Sequence, residues 1–204
     1  MIHSSRHTGA LATALLLAAP GLLLAAVLTA PSTSQAAAKT IAGYTFPATI
    51  TEGGQTLELV GAGLRSKWFV KVYAIGVYQK TNTRTANHLI NSNEPKVLWL
   101  HMLRGISGDK MRDGIDDGIK DNVSAATRKQ IAPLVDKLKR SMPPKLTNKA
   151  DIRFAYTPGA GITLSFNKRT KATFKGRAFM SAVWSIWFGR KPADKDLKKG
   201  VLKG

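Results

Sequence analysis

The sequence predicts an α+β fold, in which a sheet and a set of helices form separate layers around one core. Segments rich in β-branched and aromatic residues follow an N-terminal leader, whereas residues 107–142 and 176–188 show the apolar periodicity of helices. Removing the leader, residues 1–36, from the 204-residue chain leaves 168 residues. That length is typical of one domain with a substantial core.

The first 36 residues have the composition of a secretory signal peptide. Arg6, with no acidic neighbour, precedes an apolar run over residues 10–30 and a short segment of small and polar residues. Ser34 and Ala36 supply the small side chains that a signal peptidase needs before its cut, so we expect cleavage after Ala36 and a periplasmic protein. An uncleaved membrane anchor is the alternative, because about 20 apolar residues span a bilayer. We expect no other membrane span in the chain.

The chain is strongly basic, with 31 Lys and Arg against 12 Asp and Glu and a formal net charge of +19. One of those cations and none of the acids lies in residues 1–36, so residues 37–204 carry +18. Such a charge attracts acidic partners, and nucleic acid is the first candidate. The cations are scattered without a recognition helix, zinc-ligand spacing or aromatic platform, so we expect no specific nucleic-acid function. The absence of Cys excludes thiolate metal sites and thiol nucleophiles.

The first elements after the leader are predicted to be strands. Their sequences are rich in β-branched and aromatic residues, and glycine pairs at 53–54 and around 61–63 predict turns between them. In the run 67–79 apolar side chains fall on both faces, Trp68 and Phe69 among them, which predicts a central strand covered on both sides. After a polar connection the pattern returns. The predicted strands are 41–46, 55–60, 67–79 and 96–103.

Two amphipathic helices are predicted next. Ser107 is the predicted N-cap of the first, and an apolar residue follows at every fourth position. Gly114 and Gly118 lie beside that stripe and weaken the helix, which is explained if its backbone lies close against the sheet. The second helix is predicted to begin near Ser124 and to end at Met142.

The last third of the chain is predicted to form a hairpin, a short strand and two helices. The predicted strands are 152–156, 161–166 and 172–174. The helix 176–188 carries apolar side chains on two adjacent stripes, so it must be buried or line a ligand cavity. Gly189 ends this helix, and Asp194 is the predicted cap of a short basic helix.

Two neighbouring motifs carry a family resemblance. Gly61-Ala-Gly-Leu-Arg65 is followed by Phe69-Val-Lys-Val-Tyr-Ala-Ile-Gly-Val-Tyr78. Together they resemble chalcone isomerase and its relatives, in which a Gly-rich turn ending in Arg precedes a strand of the form Phe-x-Lys-x-x-Ala-x-Gly-x-Tyr. The likeness extends over essentially all of residues 37–204. It implies an open-faced β-sandwich, with an antiparallel-rich sheet, helices packed on one face and a ligand cleft between them.

The resemblance also implies a partly lost catalytic set. Enzymes of the family close a flavanone ring, and an Arg from this motif holds the anion while Thr, Tyr, Asn and a second Thr order water and substrate. Arg65 matches that Arg, whose permanent charge and planar fork of donors suit the task. The four other positions hold different residues here: Tyr73, Lys110, Asp117 and Ile186. We therefore do not expect flavanone cyclisation.

The leading hypothesis is a non-catalytic protein that binds an apolar ligand with an anionic head. Non-catalytic members of the family bind fatty acids through the same Arg with a nearby Tyr, and Arg65 with Tyr73 would reproduce that clamp. The purely structural alternatives are a surface turn residue for Arg65, core lining for Tyr73 and Trp187, and a solvated helix face for Lys110 and Asp117. The predicted ligand-binding residues are Arg65, Tyr73, Lys110, Asp117, Ile186 and Trp187. The enzyme alternative is an intramolecular lyase on another substrate, with Arg65 as the catalytic electrophile.

No metal site is predicted, and haem is the one cofactor for which the sequence offers a candidate ligand. His101 shares a strand face with Val97 and Trp99, where a histidine is either a core residue or, beside an apolar cleft, an axial ligand of haem iron. Five aspartates lie within residues 109–121, but they lack the alternating spacing of a calcium loop and lie on a predicted helix.

Overall fold

The computed structural model describes residues 36–204, so the predicted signal peptide, apart from Ala36, lies outside the described residues. The strands are β1 (Lys39–Ile41), β2 (Tyr44–Phe46), β3 (Thr49–Glu52), β4 (Gln55–Lys67), β5 (Val70–Gln79), β6 (Lys96–Met102), β7 (Ile106–Ser107), β8 (Lys145–Leu146), β9 (Asp151–Thr157), β10 (Gly161–Phe166) and β11 (Arg169–Phe174). The helices are α1 (Ala86–Asn91), α2 (Gly108–Asn122), α3 (Ala125–Ser141), α4 (Arg177–Phe188) and α5 (Lys195–Lys203).

Seven of the strands form one antiparallel sheet, in the order β11-β10-β9-β6-β5-β4-β3. β5 pairs with β4 on one side and β6 on the other, as predicted for a central strand. The chain leaves the sheet after β6, forms α2 and α3, and returns to pair β9 beside β6. The predicted α+β class and antiparallel-rich sheet are therefore confirmed.

The helices cover one face of the sheet, and a small ribbon lies on the other. Each helix contributes a buried side chain to the same core as the inner sheet residues: Leu89, Ile115, Ile131, Trp184 and Leu197. The opposite face has a separate apolar cluster, in which Phe46 of the β1–β2 ribbon packs with Trp99 of β6. Burial of both faces is the main favourable term in folding such a sheet.

The predicted helix ends are confirmed by their caps. The side chains of Ser107, Ser124 and Asp194 accept hydrogen bonds from backbone N–H groups in the first turns of α2, α3 and α5. Each such cap typically stabilises a helix by about 1 kcal/mol. α4 ends at Gly189, also as predicted. None of the helices within residues 36–204 is long and apolar enough to cross a membrane.

The glycine motif at 61–63 lies inside a strand, and its prediction as a turn is wrong. β4 runs unbroken through it, and Gly61 and Gly63 face the C-terminal helix. A Cβ at Gly61 would lie 2.1 Å from the carbonyl oxygen of Val201, and one at Gly63 would lie 2.4 Å from that of Leu197. These glycines mark a close backbone approach between β4 and α5, which is the other reason for Gly in a strand.

The turn falls instead at Trp68 and Phe69, where the prediction of a buried strand is wrong. Lys67 pairs with Val70, so the two aromatic residues form the tip of a two-residue hairpin. Their exposures are 84% for Trp68 and 104% for Phe69. Trp68 has φ of 56°, and a left-handed conformation costs a non-glycine residue roughly 1–2 kcal/mol. The run of apolar residues concealed a turn that has no Gly, Pro, Asn or Asp to mark it.

Two further details differ from the prediction. α1 lies within the segment predicted to be a polar connection, because its six residues bury only Leu89 and so show no apolar period. Gly118 approaches α4 and not the sheet, since a Cβ there would lie 2.7 Å from Cγ2 of Ile186. Gly114 has open space around it: beyond its chain neighbours and the backbone of its own helix, no heavy atom of the described residues lies within 4 Å of a Cβ placed there.

Candidate functional site

A cavity of about 1030 Å³ opens between the β4–β5 hairpin and the first half of α2. The chain segments after β6 and before β8 complete its wall. Its lining combines apolar side chains from the sheet and the hairpin with charged side chains from the helix and loops. The apolar and charged residues of the lining include Arg65, Lys67, Trp68, Val70, Val72, Arg104, Ile106, Lys110, Asp113, Asp117 and Lys145.

Arg65 lies near the end of β4, and its strand register fixes where it points. Arg65 pairs directly with Tyr73 on β5, so the two side chains share the helix-covered face. The Arg65 guanidinium lies over the Tyr73 ring, with Cζ 5.5 Å from the ring centroid. Arg65 is half-buried, and no carboxylate of residues 36–204 forms an ion pair with it.

Tyr73 lies beneath the cavity and supports the guanidinium from behind. Its side chain is buried, and its hydroxyl accepts a hydrogen bond of 2.8 Å from Nε1 of Trp187. Burial raises the pKa of the Tyr73 phenol, while the neighbouring Arg65 charge and the Trp187 bond act in the opposite direction. A neutral phenol behind the guanidinium supplies no counter-charge to Arg65 from that side.

The cavity has an excess of positive charge. Five cationic side chains and two carboxylates line it, which gives a formal balance of +3. No ion pair within residues 36–204 involves any of these seven groups. Arg65 is the half-buried cation among them, and the other four, Lys67, Arg104, Lys110 and Lys145, are exposed. The site is therefore suited to an anion whose charge is held at Arg65.

The structure brings together three of the six predicted ligand-binding residues. Arg65, Lys110 and Asp117 line the cavity. Tyr73 and Trp187 lie in the layer below it, joined by their hydrogen bond. Ile186 packs against Gly118, so α2 lies between it and the cavity. Tyr73 and Ile186 were predicted from the family positions they occupy, which do not tell how deep in the core a side chain lies.

Several cavity residues were missed by the sequence analysis. Lys67 ends β4, Arg104 lies in the connection after β6, and Lys145 begins the two-residue strand β8, which is too short to show a period. In a chain with 31 Lys and Arg, the sequence alone cannot distinguish a cation that lines a cavity from the many that do not. The family resemblance did not identify these three residues either, because its two motifs, residues 61–65 and 69–78, do not include them.

The aspartates of α2 are largely paired with basic neighbours. Asp109 bonds Arg112 at 2.7 Å, Asp116 pairs with Lys139, and Asp121 lies 3.4 Å from Lys191. Among residues 36–204, no three His, Cys, Asp or Glu side chains are grouped as metal ligands would be. Asp113 and Asp117 face the cavity and balance part of its positive charge.

His101 lies on the opposite face of the sheet from Arg65. Its Nδ1 is 2.8 Å from Oδ1 of Asp151, which also accepts a bond of 2.9 Å from Nε1 of Trp99. The Tyr44 ring stacks on the imidazole with centroids 3.5 Å apart. The cavity beside it is about 380 Å³ and includes Asn148 and Lys149 in its lining. These contacts hold His101 within the fold, where its side chain is buried.

The comparisons agree with this architecture. A family model described as chalcone isomerase-like matches residues 38–203. Among solved structures, a fatty-acid binding protein of Arabidopsis thaliana is similar with a TM-score of 0.62 and 16% sequence identity, over 81% of this chain and 95% of that one. A comparison with curated proteins found no sequence match. The family match spans nearly all the described residues, and the chain therefore belongs to the chalcone isomerase-like family.

Proposed function

We propose that this protein binds an apolar molecule with an anionic head, such as a long-chain carboxylic acid, in the Arg65 cavity and releases it unchanged. One observation carries the proposal: a half-buried guanidinium with no ion pair among residues 36–204 faces a cavity of about 1030 Å³. Uncompensated charge in a partly desolvated site favours an anionic ligand.

The head and the chain of such a ligand have separate partners. A carboxylate can accept two parallel bonds from the Arg65 fork, with Tyr73 fixing the guanidinium from behind. An acyl chain can lie along the apolar part of the wall, formed by Val70, Val72 and Ile106. The cavity volume is at the upper end of the about 300–1000 Å³ usual for small-molecule sites.

Two further observations support the proposal. The fatty-acid binding protein of Arabidopsis thaliana shares the fold, which supports an acyl ligand for this chain as well. The composition of residues 1–36 supports export, so the ligand would be met in the periplasm.

The first experiment asks what the purified protein carries. Native mass spectrometry before and after solvent extraction should reveal an acidic amphiphile on the wild type and little on Arg65→Ala. Arg169→Ala is the matched control, because Arg169 is an exposed Arg at the start of β11. Binding of added palmitate should weaken at least about tenfold in Arg65→Ala, since a charge-assisted bond of this kind contributes roughly 1.5–3 kcal/mol.

Equal palmitate affinity in the wild type and Arg65→Ala would contradict the proposal. The lyase alternative gives a different result: a substrate is recovered as an isomer, and the conversion stops in Arg65→Ala. Haem binding by His101 stays a prediction, checked by a Soret band in haem-reconstituted protein that shifts or disappears in His101→Ala.

A further inference from the structure

The tip of the β4–β5 hairpin exposes two aromatic rings, of which Trp68 lies at the edge of the cavity lining and Phe69 lies outside it. Trp68 is 84% and Phe69 104% exposed, and Val70 beside them is 41% exposed. Within residues 36–204, no other large apolar side chain is as exposed as these three. Adjacent exposed aromatics of this kind typically mark an interaction site.

The backbone holds both rings outward at the tip. Trp68 occupies a left-handed position, φ 56°, where glycine is the residue that costs least. A large aromatic side chain is therefore retained at a position where it destabilises the turn. At 84% exposure the indole gains little burial within the fold to offset that cost.

The same end of the sheet is rich in positive charge. Lys67 and Lys71 flank the tip along β4 and β5, and both are exposed. The turns before β9 and after β10 lie at this end as well. Pairing carries the position across the sheet, from Tyr73 of β5 to Met102 at the end of β6. From there it passes to the start of β9, where Asp151 pairs with His101, and to the end of β10, where Phe166 pairs with Ile152. Those turns carry exposed Lys149 and Lys168. The cavity itself adds Arg104, Lys110 and Lys145.

Negative charge is distributed differently. The three glutamates of the chain, Glu52, Glu58 and Glu94, lie at or beyond the other end of the sheet, because β4 begins where β5 ends. The aspartates at this end are Asp151, which bonds His101, Asp113 and Asp117, which face the cavity, Asp194, which accepts hydrogen bonds from the Ser66 and Leu197 N–H groups, and exposed Asp196. Lysines and arginines outnumber them around the tip itself. The tip thus combines insertable aromatic rings with a cationic surround.

We propose that the Trp68–Phe69 tip inserts into the headgroup region of an anionic phospholipid bilayer, with the surrounding lysines on its surface. Trp prefers the membrane–water interface, and Lys and Arg near an anionic leaflet strengthen such docking. Trp68 and Val70 also line the Arg65 cavity, so docking turns the cavity mouth to the lipid. Loading of an acyl ligand from the bilayer rests on the proposed function, whereas docking itself does not.

The fluorescence of Trp68 can report insertion of the tip into a bilayer. The chain has four Trp, and the other three, Trp99, Trp184 and Trp187, are buried. With vesicles of phosphatidylglycerol and phosphatidylcholine, the emission should shift to shorter wavelength and be quenched by lipids brominated on their acyl chains. The shift should disappear with pure phosphatidylcholine vesicles and diminish with added salt. Because the signal comes from Trp68, it reports the tip whatever the N-terminal residues contribute to binding.

The test variant is the double substitution Trp68→Gly with Phe69→Ser. Gly suits the left-handed position, so thermal unfolding should show an intact fold. Vesicle affinity should fall at least about tenfold, because two inserted rings are lost. Lys67→Gln with Lys71→Gln should also weaken binding, whereas Lys80→Gln with Lys175→Gln, at the other end of the sheet, should not.

The outcomes separate docking from ligand binding. Phe69→Ser alone, at a tip residue outside the cavity lining, should bind palmitate in buffer as the wild type does but take it up more slowly from vesicles, while Arg65→Ala should keep its vesicle affinity. An unshifted Trp68 spectrum with anionic vesicles would overturn docking and leave ligand binding intact. A second copy of the chain is the other possible occupant of the tip. A wild-type dimer that becomes monomeric in the tip variant, with no spectral shift on vesicles, would also overturn the proposal.

Discussion

At the scale of single residues, the neighbours of Arg65 determine whether its guanidinium is free to bind an anion. The motif identified Arg65 as the family's anion-holding Arg, and the structure adds Tyr73 behind it and no carboxylate partner within residues 36–204. The sequence could not show that Tyr73 is engaged by Trp187, because that bond joins residues 114 positions apart.

The Tyr73–Trp187 bond should contribute to stability more than to affinity. In Tyr73→Phe the Trp187 N–H loses its acceptor in the core, which typically costs about 1–3 kcal/mol. Urea unfolding should show that loss. In the double variant with Trp187→Phe the two effects should be less than additive, because each removes the same bond. Additive losses would show that the bond contributes nothing measurable.

Lys96 should make stability depend on pH. Its side chain is buried, and Nζ donates to the carbonyls of Leu89 and Ser92 at 2.8 and 3.0 Å. Burial lowers the pKa of the Lys96 ammonium from 10.5 to about 7, partly opposed by the charge of Glu94. Between those two values the unfolded chain keeps this proton while the folded one loses it, so the free energy of unfolding rises with pH across that window.

Lys96→Met provides the comparison. Between about pH 7 and pH 9, the free energy of unfolding should rise more in the wild type than in the variant, by at most about 1.4 kcal/mol per pH unit. Below about pH 7 this group should contribute no slope. Urea titrations at several pH values measure both curves, and parallel curves would rule out a lowered Lys96 pKa.

At the scale of elements, the sequence was most informative where apolar periodicity or a cap marks a segment. α2, α3 and α5 begin at their predicted caps, and β9 and β10 form the predicted hairpin. The prediction failed at Gly61 and Gly63, because glycine occurs both in turns and where two backbones approach closely. A turn was predicted there, but both glycines lie inside β4 against α5. The actual turn is made of two aromatic residues.

Gly63→Ala should therefore separate α5 from β4. A Cβ at this position meets the backbone carbonyl of Leu197, which no side-chain rotation can relieve. We expect a loss of at least about 2 kcal/mol in the free energy of unfolding, typical of overpacking. Gly114→Ala is the matched control, since it adds the same methyl group to an open position in α2 and should stabilise by about 0.5–1 kcal/mol. Equal effects of the two substitutions would contradict the assigned contact.

At the scale of the whole molecule, the fold was predictable and the site only in part. Alternating strand patterns and amphipathic helices predict the layers, and the family motifs predict the arrangement of helices on one face. The cavity is assembled from the hairpin, α2 and the segments around β7 and β8, and its five cations come from four separate parts of the chain: β4, the segment after β6, α2 and β8. Those residues meet only through the tertiary fold, so no local pattern could identify them.

The central claim is that Arg65 holds the anionic head of an apolar ligand. Calorimetric titration with decanoate and with decanol tests it most directly, because the two ligands share a chain and differ in the charged head. We expect the wild type to bind decanoate at least about tenfold more tightly than decanol, and Arg65→Ala to lose that preference. Equal binding of the acid and the alcohol by the wild type, or a preference that survives Arg65→Ala, would contradict the claim.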